Sequence, residues 1–228
     1  MSASSSALPS APFAEVSARP APVVGPSARF DRVASDEQIE RAADALRAPG
    51  FEVRVVPDAP AARAAVRALV PPGAEVLNVT SQTLTAVGVA ADLEDPAQYD
   101  SVRPKLVASM AAGRPDDARR AGASPAYVVG SVHAVTEDGQ VLVASGSGSQ
   151  LAPYVYGAGH VVWVVGAQKI VPDLATAIRR LNEYTFPLED ARAQAAYGRG
   201  SAIAKLLVVG LERPGRTTVV LVKENLGF

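Results

Sequence analysis

Apolar residues recur at helical spacing in the first quarter of the sequence. Ser35 and Gln38 have the spacing of a capping box, in which two side chains satisfy backbone groups at the start of a helix. The apolar residues that follow lie three or four positions apart, as on one face of a helix: Ile39, Ala42, Ala43 and Leu46. The pattern predicts a helix over 36–48, which ends at Pro49–Gly50.

Strand and helix patterns then alternate along the chain. Residues 51–56 alternate apolar and charged side chains, as a half-buried strand does, and Asp58 is placed to cap a second helix. A mostly apolar strand over 74–80 leads into Ser81–Gln82–Thr83, at the start of another helix. Repeated units of this kind predict parallel strands joined by right-handed crossovers.

The second half of the chain continues with a hairpin and a buried strand. Asp138–Gly139 supplies the positive φ angles of a tight turn between strands at 133–136 and 140–144. Residues 160–165 (HVVWVV) are almost entirely apolar. We therefore expect a strand that is covered on both faces and a buried Trp163.

Further helices and a terminal hairpin complete the predicted fold. Helical patterns cover 150–157, 173–184 and 188–197. The apolar segments 205–210 and 217–222 flank a Pro–Gly turn and are predicted to pair as a C-terminal β-hairpin. Together the elements predict a three-layer α/β/α fold with a mainly parallel mixed sheet and helices on both faces.

Composition divides the chain into an arm and one domain. Of the 228 residues, 48% are hydrophobic, which is enough for one sizeable core. Residues 1–34 are rich in Ala, Ser and Pro and lack the features of a signal peptide, so we expect a disordered or loosely docked arm before a domain over 35–228. Because no segment has the ~18 consecutive apolar residues of a membrane span, a cytoplasmic location is expected.

Charge and residue usage exclude several kinds of chemistry. The net charge of −1 has no basic stripe for nucleic acid. The absence of cysteine excludes disulfides, thiolate catalysis and an iron–sulfur cluster held by cysteines of this chain. His133 and His160 are the only histidines and have no acidic neighbours at metal-ligand spacing, so no metal site is predicted.

Two polar segments are candidate ligand sites. The loop Ser145, Gly146, Ser147, Gly148 and Ser149 lies between a predicted strand and a helix, where backbone N–H groups attract anions. The loop lacks the full dinucleotide and P-loop motifs, and a flexible connection explains it equally well. Thr80, Ser81, Gln82 and Thr83 follow a buried strand at the ligand-binding end of such sheets, although helix capping by Ser81 also accounts for them.

Isolated basic residues offer further anion contacts. Arg199 lies in a glycine-rich turn and has the planar donor group that fits a carboxylate; a solvated surface arginine is the alternative. Lys169 and Lys205 add positive charge after and at the start of strands. These residues and the two polar segments predict a small anionic ligand, a carboxylate or a phosphate.

Several phrases of the sequence resemble the LUD (lactate utilisation) family, in particular its small LutC-like members. The resemblance is carried by HAVTEDGQVLVASGSGSQLAPYVYGAGHVVWVVGAQKIVPDLATAIRRL, by NVTSQTLTAVGV and by KENLGF. It implies a fold like that of glucosamine-phosphate isomerase, ribose-phosphate isomerase and CoA transferases. It also implies a role in oxidising L-lactate to pyruvate together with iron–sulfur partner subunits.

The same resemblance suggests one catalytic candidate. In related CoA transferases a Glu–Asn–Gly-like turn supplies a nucleophilic carboxylate, and here the turn contains Glu137 before Asp138–Gly139. Turn geometry alone also selects Asp–Gly, so a structural role for this segment is the alternative.

Three functions follow as expectations. The first is a subunit or accessory of lactate oxidation that binds a small anion, with iron–sulfur oxidoreductase partners and a possible homo-oligomer. The second is a CoA-transferase-like or sugar-phosphate-isomerase-like enzyme, and the third is a metabolite-binding or regulatory module without catalysis. The sequence identifies no cofactor and leaves open whether the chain itself is an enzyme, because one fold supports many functions.

Overall fold

Residues 26–228 are described by the structure, a computed structural model, and they contain ten strands. The strands are β1 (Glu52–Val56), β2 (Glu75–Asn78), β3 (Asp100–Ser101), β4 (Tyr127–Gly130), β5 (Ala134–Thr136), β6 (Val141–Ser145), β7 (His160–Gly166), β8 (Ile170–Val171), β9 (Lys205–Val209) and β10 (Thr217–Val222). Six of them form a parallel sheet in the order β1-β10-β7-β4-β2-β3. The other four form a smaller sheet in the order β8-β5-β6-β9.

Eight α-helices connect and cover these sheets within the described residues. They are α1 (Asp36–Arg47), α2 (Ala59–Leu69), α3 (Gln82–Val87), α4 (Val89–Glu94), α5 (Val102–Ala111), α6 (Pro115–Ala123), α7 (Leu174–Arg180) and α8 (Phe186–Tyr197). Short 3₁₀ turns form at Ala28–Phe30 and Ala167–Lys169, and π-helical turns at Pro153–Gly157 and Leu181–Thr185. In this part of the chain no helix is long and apolar enough to cross a membrane.

The predicted layered α/β architecture is confirmed. Helices α2, α3 and α4 pack on one face of the parallel sheet, where their apolar residues meet alternate residues of β7 and β10. Helix α1 packs on the opposite face together with the smaller sheet. Helix α7 then covers part of the outer face of that smaller sheet. The small sheet is the feature that the simple three-layer prediction lacked.

Helix α1 begins as its sequence predicts. The Ser35 side chain accepts a hydrogen bond from the Gln38 backbone N–H, and the Gln38 side chain accepts one from the Ser35 N–H. The predicted apolar stripe is fully buried against the parallel sheet: Ile39, Ala42, Ala43 and Leu46. Local capping and periodicity therefore determine this element.

The predicted C-terminal hairpin is wrong. Strand β9 pairs antiparallel with β6 in the smaller sheet, whereas β10 lies between β1 and β7 in the parallel sheet. All six residues of β10 are buried, which suits a central strand covered on both faces. Strand β9 has two exposed apolar residues, Leu206 and Val208, as expected of an edge strand with one covered face.

Residues 26–34, which the sequence places in the N-terminal arm, contact the domain. Phe30 is buried, and Asp31 accepts hydrogen bonds from the Tyr184 hydroxyl (2.6 Å) and the Asn225 amide. The Ser27 N–H donates to the Glu183 carbonyl at 2.9 Å. The remainder of the predicted arm, residues 1–25, lies outside the described residues.

Trp163 lies at the centre of the parallel sheet, as predicted. Its side chain is fully buried, and its ring packs edge-on against Tyr154, with ring centroids 5.4 Å apart. Phe51, which precedes β1, packs against it with a centroid distance of 6.2 Å. Both faces of β7 are apolar, because Val161 and Val165 share the Trp163 face whereas Val162 and Val164 face the other way.

One buried carboxylate on the opposite face makes the stability of the protein sensitive to acid. Asp92 accepts bidentate hydrogen bonds from both Arg63 and Arg67, at 2.6 to 2.9 Å. Hydrogen bonding from Arg63, followed by that from Arg67 and the charges of both, lowers the pKa of Asp92 to about 2 against the opposing effect of burial. The folded state therefore binds fewer protons at this site than the unfolded state.

We expect the stabilisation from Asp92 to be complete above about pH 4, the pKa region of an unfolded aspartate, and to disappear as the pH falls towards about 2. Urea unfolding between these pH values should show a smaller pH-dependent loss of stability in Asp92→Asn than in the wild type. Asp44→Asn, a change on the exposed face of α1, is the control and should retain the wild-type loss. Equal pH dependence in wild type and Asp92→Asn would contradict this assignment.

Candidate functional site

A cavity of about 880 Å³ lies at the carboxyl end of the parallel sheet, between β2 and β4. After β2 the chain continues outward to β3, whereas from β4 it moves the other way to β7 and β10. Open α/β sheets bind ligands at such a reversal because the loops diverge and leave a crevice. The fold thus places the cavity where a ligand site is expected.

The cavity has a polar floor and two walls. The floor is formed by residues that end or follow strands of the parallel sheet: Asn78, Val79, Ser131, Val132, His133 and Lys169. One wall belongs to α5 and α6 and includes Leu106, Met110, Ala118 and Gly122. The other consists of the loop after β6 and one side of α8, with Phe186 and Tyr197. Polar groups at the base and apolar groups along the sides are typical of small-molecule sites.

The structure brings together the two polar segments singled out in the sequence. Thr80, Ser81 and Gln82 line one side of the cavity, and all five residues of the 145–149 loop line another. Thr83 lies beneath the floor, fully buried, and its hydroxyl donates to the Leu226 carbonyl at 2.9 Å. Ser81 also caps α3, because its side chain accepts from the Leu84 N–H, so the capping interpretation holds as well.

The 145–149 loop is held by its own serines. The Ser145 hydroxyl accepts from the Gly148 N–H at 2.8 Å and donates to the Gln150 side chain at 2.7 Å. Within the described residues, the backbone N–H groups of Gly146, Ser147 and Gln150 have no protein acceptor. The predicted helix after this loop is a short segment that becomes π-helical at Pro153, so the free N–H groups are the stronger anion donors here.

Gly148 has a backbone requirement of its own. Its φ is +89°, and a Cβ added there would lie 2.8 Å from the Lys205 side chain. Any other residue at this position therefore strains the loop. For this reason the charge of the site is better tested elsewhere than by substituting this glycine.

Lys169 is the most unusual side chain of the cavity floor. It is 1% exposed, and its Nζ contacts Thr83 Oγ1 (2.9 Å), Ser131 Oγ (3.1 Å) and the Val132 carbonyl (3.1 Å). All three partners are uncharged. Burial lowers the pKa of Lys169 well below its usual value, and the nearby charge of Arg180 lowers it further.

Arg180 is fully buried beneath the cavity floor and donates hydrogen bonds to the backbone of floor residues and their neighbours. Its guanidinium donates to the His133 carbonyl (2.6 Å), to the Gln168 carbonyl (3.3 Å) and to the Thr185 hydroxyl (2.9 Å). Burial lowers its pKa to about 10, which leaves it charged at neutral pH. Arg180 therefore places a buried positive charge near Lys169.

His133 lines the cavity in its neutral form. Burial, and then the charges of Lys169 and Arg180, lower its pKa to about 3. Its Nδ1 accepts a hydrogen bond from the Ala144 N–H at 3.1 Å, which links β5 to β6. His160, at the exposed start of β7, instead stacks on Tyr127 with ring centroids 4.7 Å apart.

Two predicted residues lie away from the cavity. The Glu137 carboxylate, 17% exposed, is paired with Arg41 at 2.9 Å and accepts from the Gln38 side chain at 2.8 Å. It joins the β5–β6 turn to α1, so the geometry gives no support to a nucleophile there. Arg199 is exposed and outside the lining, although its neighbours Tyr197 and Ser201 contribute to it.

The charged side chains of the lining are mostly basic. They are Arg103, Arg119, Lys169 and Arg192 against the single acid Glu189. Arg103 donates to the Thr80 hydroxyl at 2.8 Å, at the edge of the predicted polar segment. Among residues 26–228 no group of three or more His, Cys, Asp or Glu side chains is placed to hold a metal ion.

Sequence reasoning missed the importance of Lys169 and Arg180. The sequence pattern presents Lys169 only as a positive charge after a strand and does not distinguish Arg180 from other basic residues. The available signal was a lysine within the apolar phrase VVGAQKIV, directly between two strands. A charge in such a segment is either at a strand end or buried with partners, and only the fold shows which.

The fold and the cavity define a layered α/β protein with a cleft at the reversal point of a parallel sheet. The LUD domain model matches residues 39–222, so the chain belongs to the LUD domain family, which is associated with lactate utilisation. The family resemblance seen in the sequence is thereby confirmed.

One solved structure supports the same fold. The crystal structure of a DUF162 family protein from Deinococcus radiodurans superposes with a TM-score of 0.53 at 13% identity, covering 84% of this chain and 99% of the other. The β subunit of eIF2B from Chaetomium thermophilum is more distant, with a TM-score of 0.31 at 18% identity. The match covers 60% of this chain and 41% of the eIF2B chain. No curated protein matches the chain.

Proposed function

We propose that this protein is a LUD-family component of lactate utilisation that binds a small carboxylate in the cleft. In this role it acts as a subunit or accessory of the oxidation of L-lactate to pyruvate. The observation that carries the proposal is the charge of the lining, in which three arginines, Arg103, Arg119 and Arg192, outnumber the single acidic side chain, Glu189. Although Arg192 pairs with Glu189, the lining keeps an excess of positive side chains, and such an excess concentrates ligands of negative charge.

The polar groups of the cleft fit the same ligand class. Free backbone N–H groups at Gly146 and Ser147 and the hydroxyls of Thr80 and Ser131 are the donors that a carboxylate and a 2-hydroxyl group need. The apolar wall on α5 and α6 suits the carbon skeleton of the ligand. These features support a carboxylate without distinguishing lactate from pyruvate.

Partners follow from the redox chemistry of the proposed role. Oxidation of lactate releases two electrons, and this sequence has no cysteine with which to hold an iron–sulfur cluster. We therefore propose that iron–sulfur oxidoreductase subunits accept the electrons and that the complex works in the cytoplasm. Recovery of such subunits with the tagged protein, in a lactate-dependent manner, tests this part of the proposal.

Arg103→Gln is expected to weaken lactate and pyruvate binding roughly tenfold or more, because one charge-assisted hydrogen bond contributes about 1.5–3 kcal/mol. Isothermal titration calorimetry on the folded variant measures this loss. Arg120→Gln is the matched control, since Arg120 lies on α6, is exposed and is not part of the lining. Its affinity should equal that of the wild type.

Neutral analogues test the charge requirement independently. Lactamide keeps the shape and the hydroxyl group of lactate but lacks the carboxylate, so it should bind far more weakly. Equal affinity for lactate and lactamide, or wild-type affinity in Arg103→Gln, would overturn the proposed binding of a carboxylate by this cleft.

A further inference from the structure

The hydrogen bonds around Lys169 are compatible with a neutral amine. The Thr83 hydroxyl donates its proton to the Leu226 carbonyl. Towards Lys169 its oxygen therefore acts only as an acceptor, and Nζ is the donor. The Val132 carbonyl is also an acceptor. A neutral amine has two N–H donors, and these two oxygens satisfy both.

The third contact of Lys169 is with Ser131, whose hydroxyl can donate as well as accept. Its other protein partner is the Thr83 oxygen, at the longer distance of 3.3 Å, whereas Nζ lies 3.1 Å away. When Ser131 donates to Nζ, its proton occupies the nitrogen lone pair and every polar atom of this group is satisfied. The neutral amine therefore needs no rearrangement of the floor.

The surroundings of Lys169 favour this neutral state. Its hydrogen-bond partners carry no charge. The positively charged Arg180 lies nearby and donates to the carbonyl of His133, the residue after Val132. Desolvation and a neighbouring cation are the two effects that convert a lysine into an amine nucleophile. Lys169 and Ser131 both belong to the lining of the cavity, at its floor.

We propose that Lys169 forms an imine with the carbonyl carbon of a 2-oxo acid bound in the cleft. This inference rests on the proposed function, because the carboxylate of the 2-oxo acid is bound by the basic side chains and backbone N–H groups described above. It adds an activity, reversible covalent capture of the ketone, and assigns the nucleophile and a proton donor.

The chemistry balances with the groups present. The Ser131 hydroxyl turns from Nζ towards the carbonyl oxygen of the ligand, which frees the nitrogen lone pair. The C–N bond then forms, the C=O π bond breaks, and the oxygen receives a proton from Ser131, which recovers one from the nitrogen. The C–O bond then breaks, the hydroxyl leaves as water with the remaining N–H proton, and the C=N bond of the imine forms; no oxidant or reductant takes part.

Reductive trapping tests the proposal on the full chain. The protein is incubated with pyruvate and sodium cyanoborohydride, and intact mass and peptide mapping locate any adduct. We expect one reduced pyruvate adduct per chain, on Lys169, and none with L-lactate, which has no carbonyl group to attack. Ser131→Ala should slow formation of the adduct by tenfold or more while Lys169 remains its site, because the proton donor is lost.

Lys169→Arg keeps a basic side chain and should abolish the adduct. Lys205 lies beside the 145–149 loop, and Lys205→Arg should leave the adduct unchanged.

Calorimetry without the reductant separates this proposal from the proposed function. Pyruvate that binds to the wild type without modifying Lys169, or an adduct confined to other lysines, overturns the imine and leaves carboxylate binding intact. Absence of pyruvate binding overturns both.

Discussion

Trp163→Ala is expected to lower the free energy of unfolding by about 3–5 kcal/mol, the range for removal of a large buried aromatic ring. Trp163 is fully buried in the central strand β7 and packs against both Tyr154 and Phe51. Parallel strands surround it, so the sheet cannot collapse to fill the space that the indole leaves. Urea denaturation followed by circular dichroism measures the loss, since the variant lacks tryptophan fluorescence.

Tyr156→Ala is the matched control for Trp163. This aromatic residue is 89% exposed, and its truncation should change stability by less than about 0.5 kcal/mol. A loss below about 1 kcal/mol for Trp163→Ala would mean that the core around β7 is looser than its packing indicates.

Gly157→Ala is expected to cost about 1–3 kcal/mol, the usual range for overpacking a tight contact. A Cβ at position 157 would overlap the carbonyl oxygen of Ala123, where α6 ends and one wall of the cleft begins. The obstacle is backbone, so the helix end has to move away. We therefore expect lower stability together with weaker binding of pyruvate, measured by denaturation and by calorimetry.

Gly122→Ala is expected to have the opposite effect on stability. Gly122 lies in α6, directly before Ala123. Its Cβ would meet the Leu106 methyl groups at 3.5 and 3.6 Å, which is ordinary contact, and alanine favours a helix over glycine by about 1 kcal/mol. Gly122→Ala should therefore be as stable as the wild type or more so. Equal stability of wild type and Gly157→Ala would show that α6 does not approach the π-helical turn closely.

The cleft was partly predictable because some of its determinants are local. Thr80 to Gln82 and the 145–149 loop follow strands that their own apolar patterns predict, and ligand sites of parallel sheets lie after strands. Lys169 differs, because its role depends on Thr83 and Ser131, which are 86 and 38 positions away along the chain. No local pattern records such contacts.

Glu137 shows the same dependence on distant residues. The predicted hairpin between β5 and β6 is present and Gly139 has a φ of +90°, but the Gly139 N–H donates to the Thr136 carbonyl, so Glu137 and Asp138 form the centre of the turn. The environment of the carboxylate is not given by the turn, because Arg41, 96 positions away, pairs with it. A motif gives the shape of the backbone, whereas the chemistry of a side chain depends on which distant residues pack beside it.

The sequence by itself determined the elements that capping, periodicity and turn chemistry specify: helix α1, the β5–β6 hairpin, the buried β7 and the family of the chain. These depend on interactions within a few residues, which a linear pattern displays. Only the tertiary structure decided that β9 and β10 enter different sheets and that Lys169 lies under the cleft among neutral partners. Both outcomes depend on strand order, which is selected by burial of the whole sheet and not by any one segment.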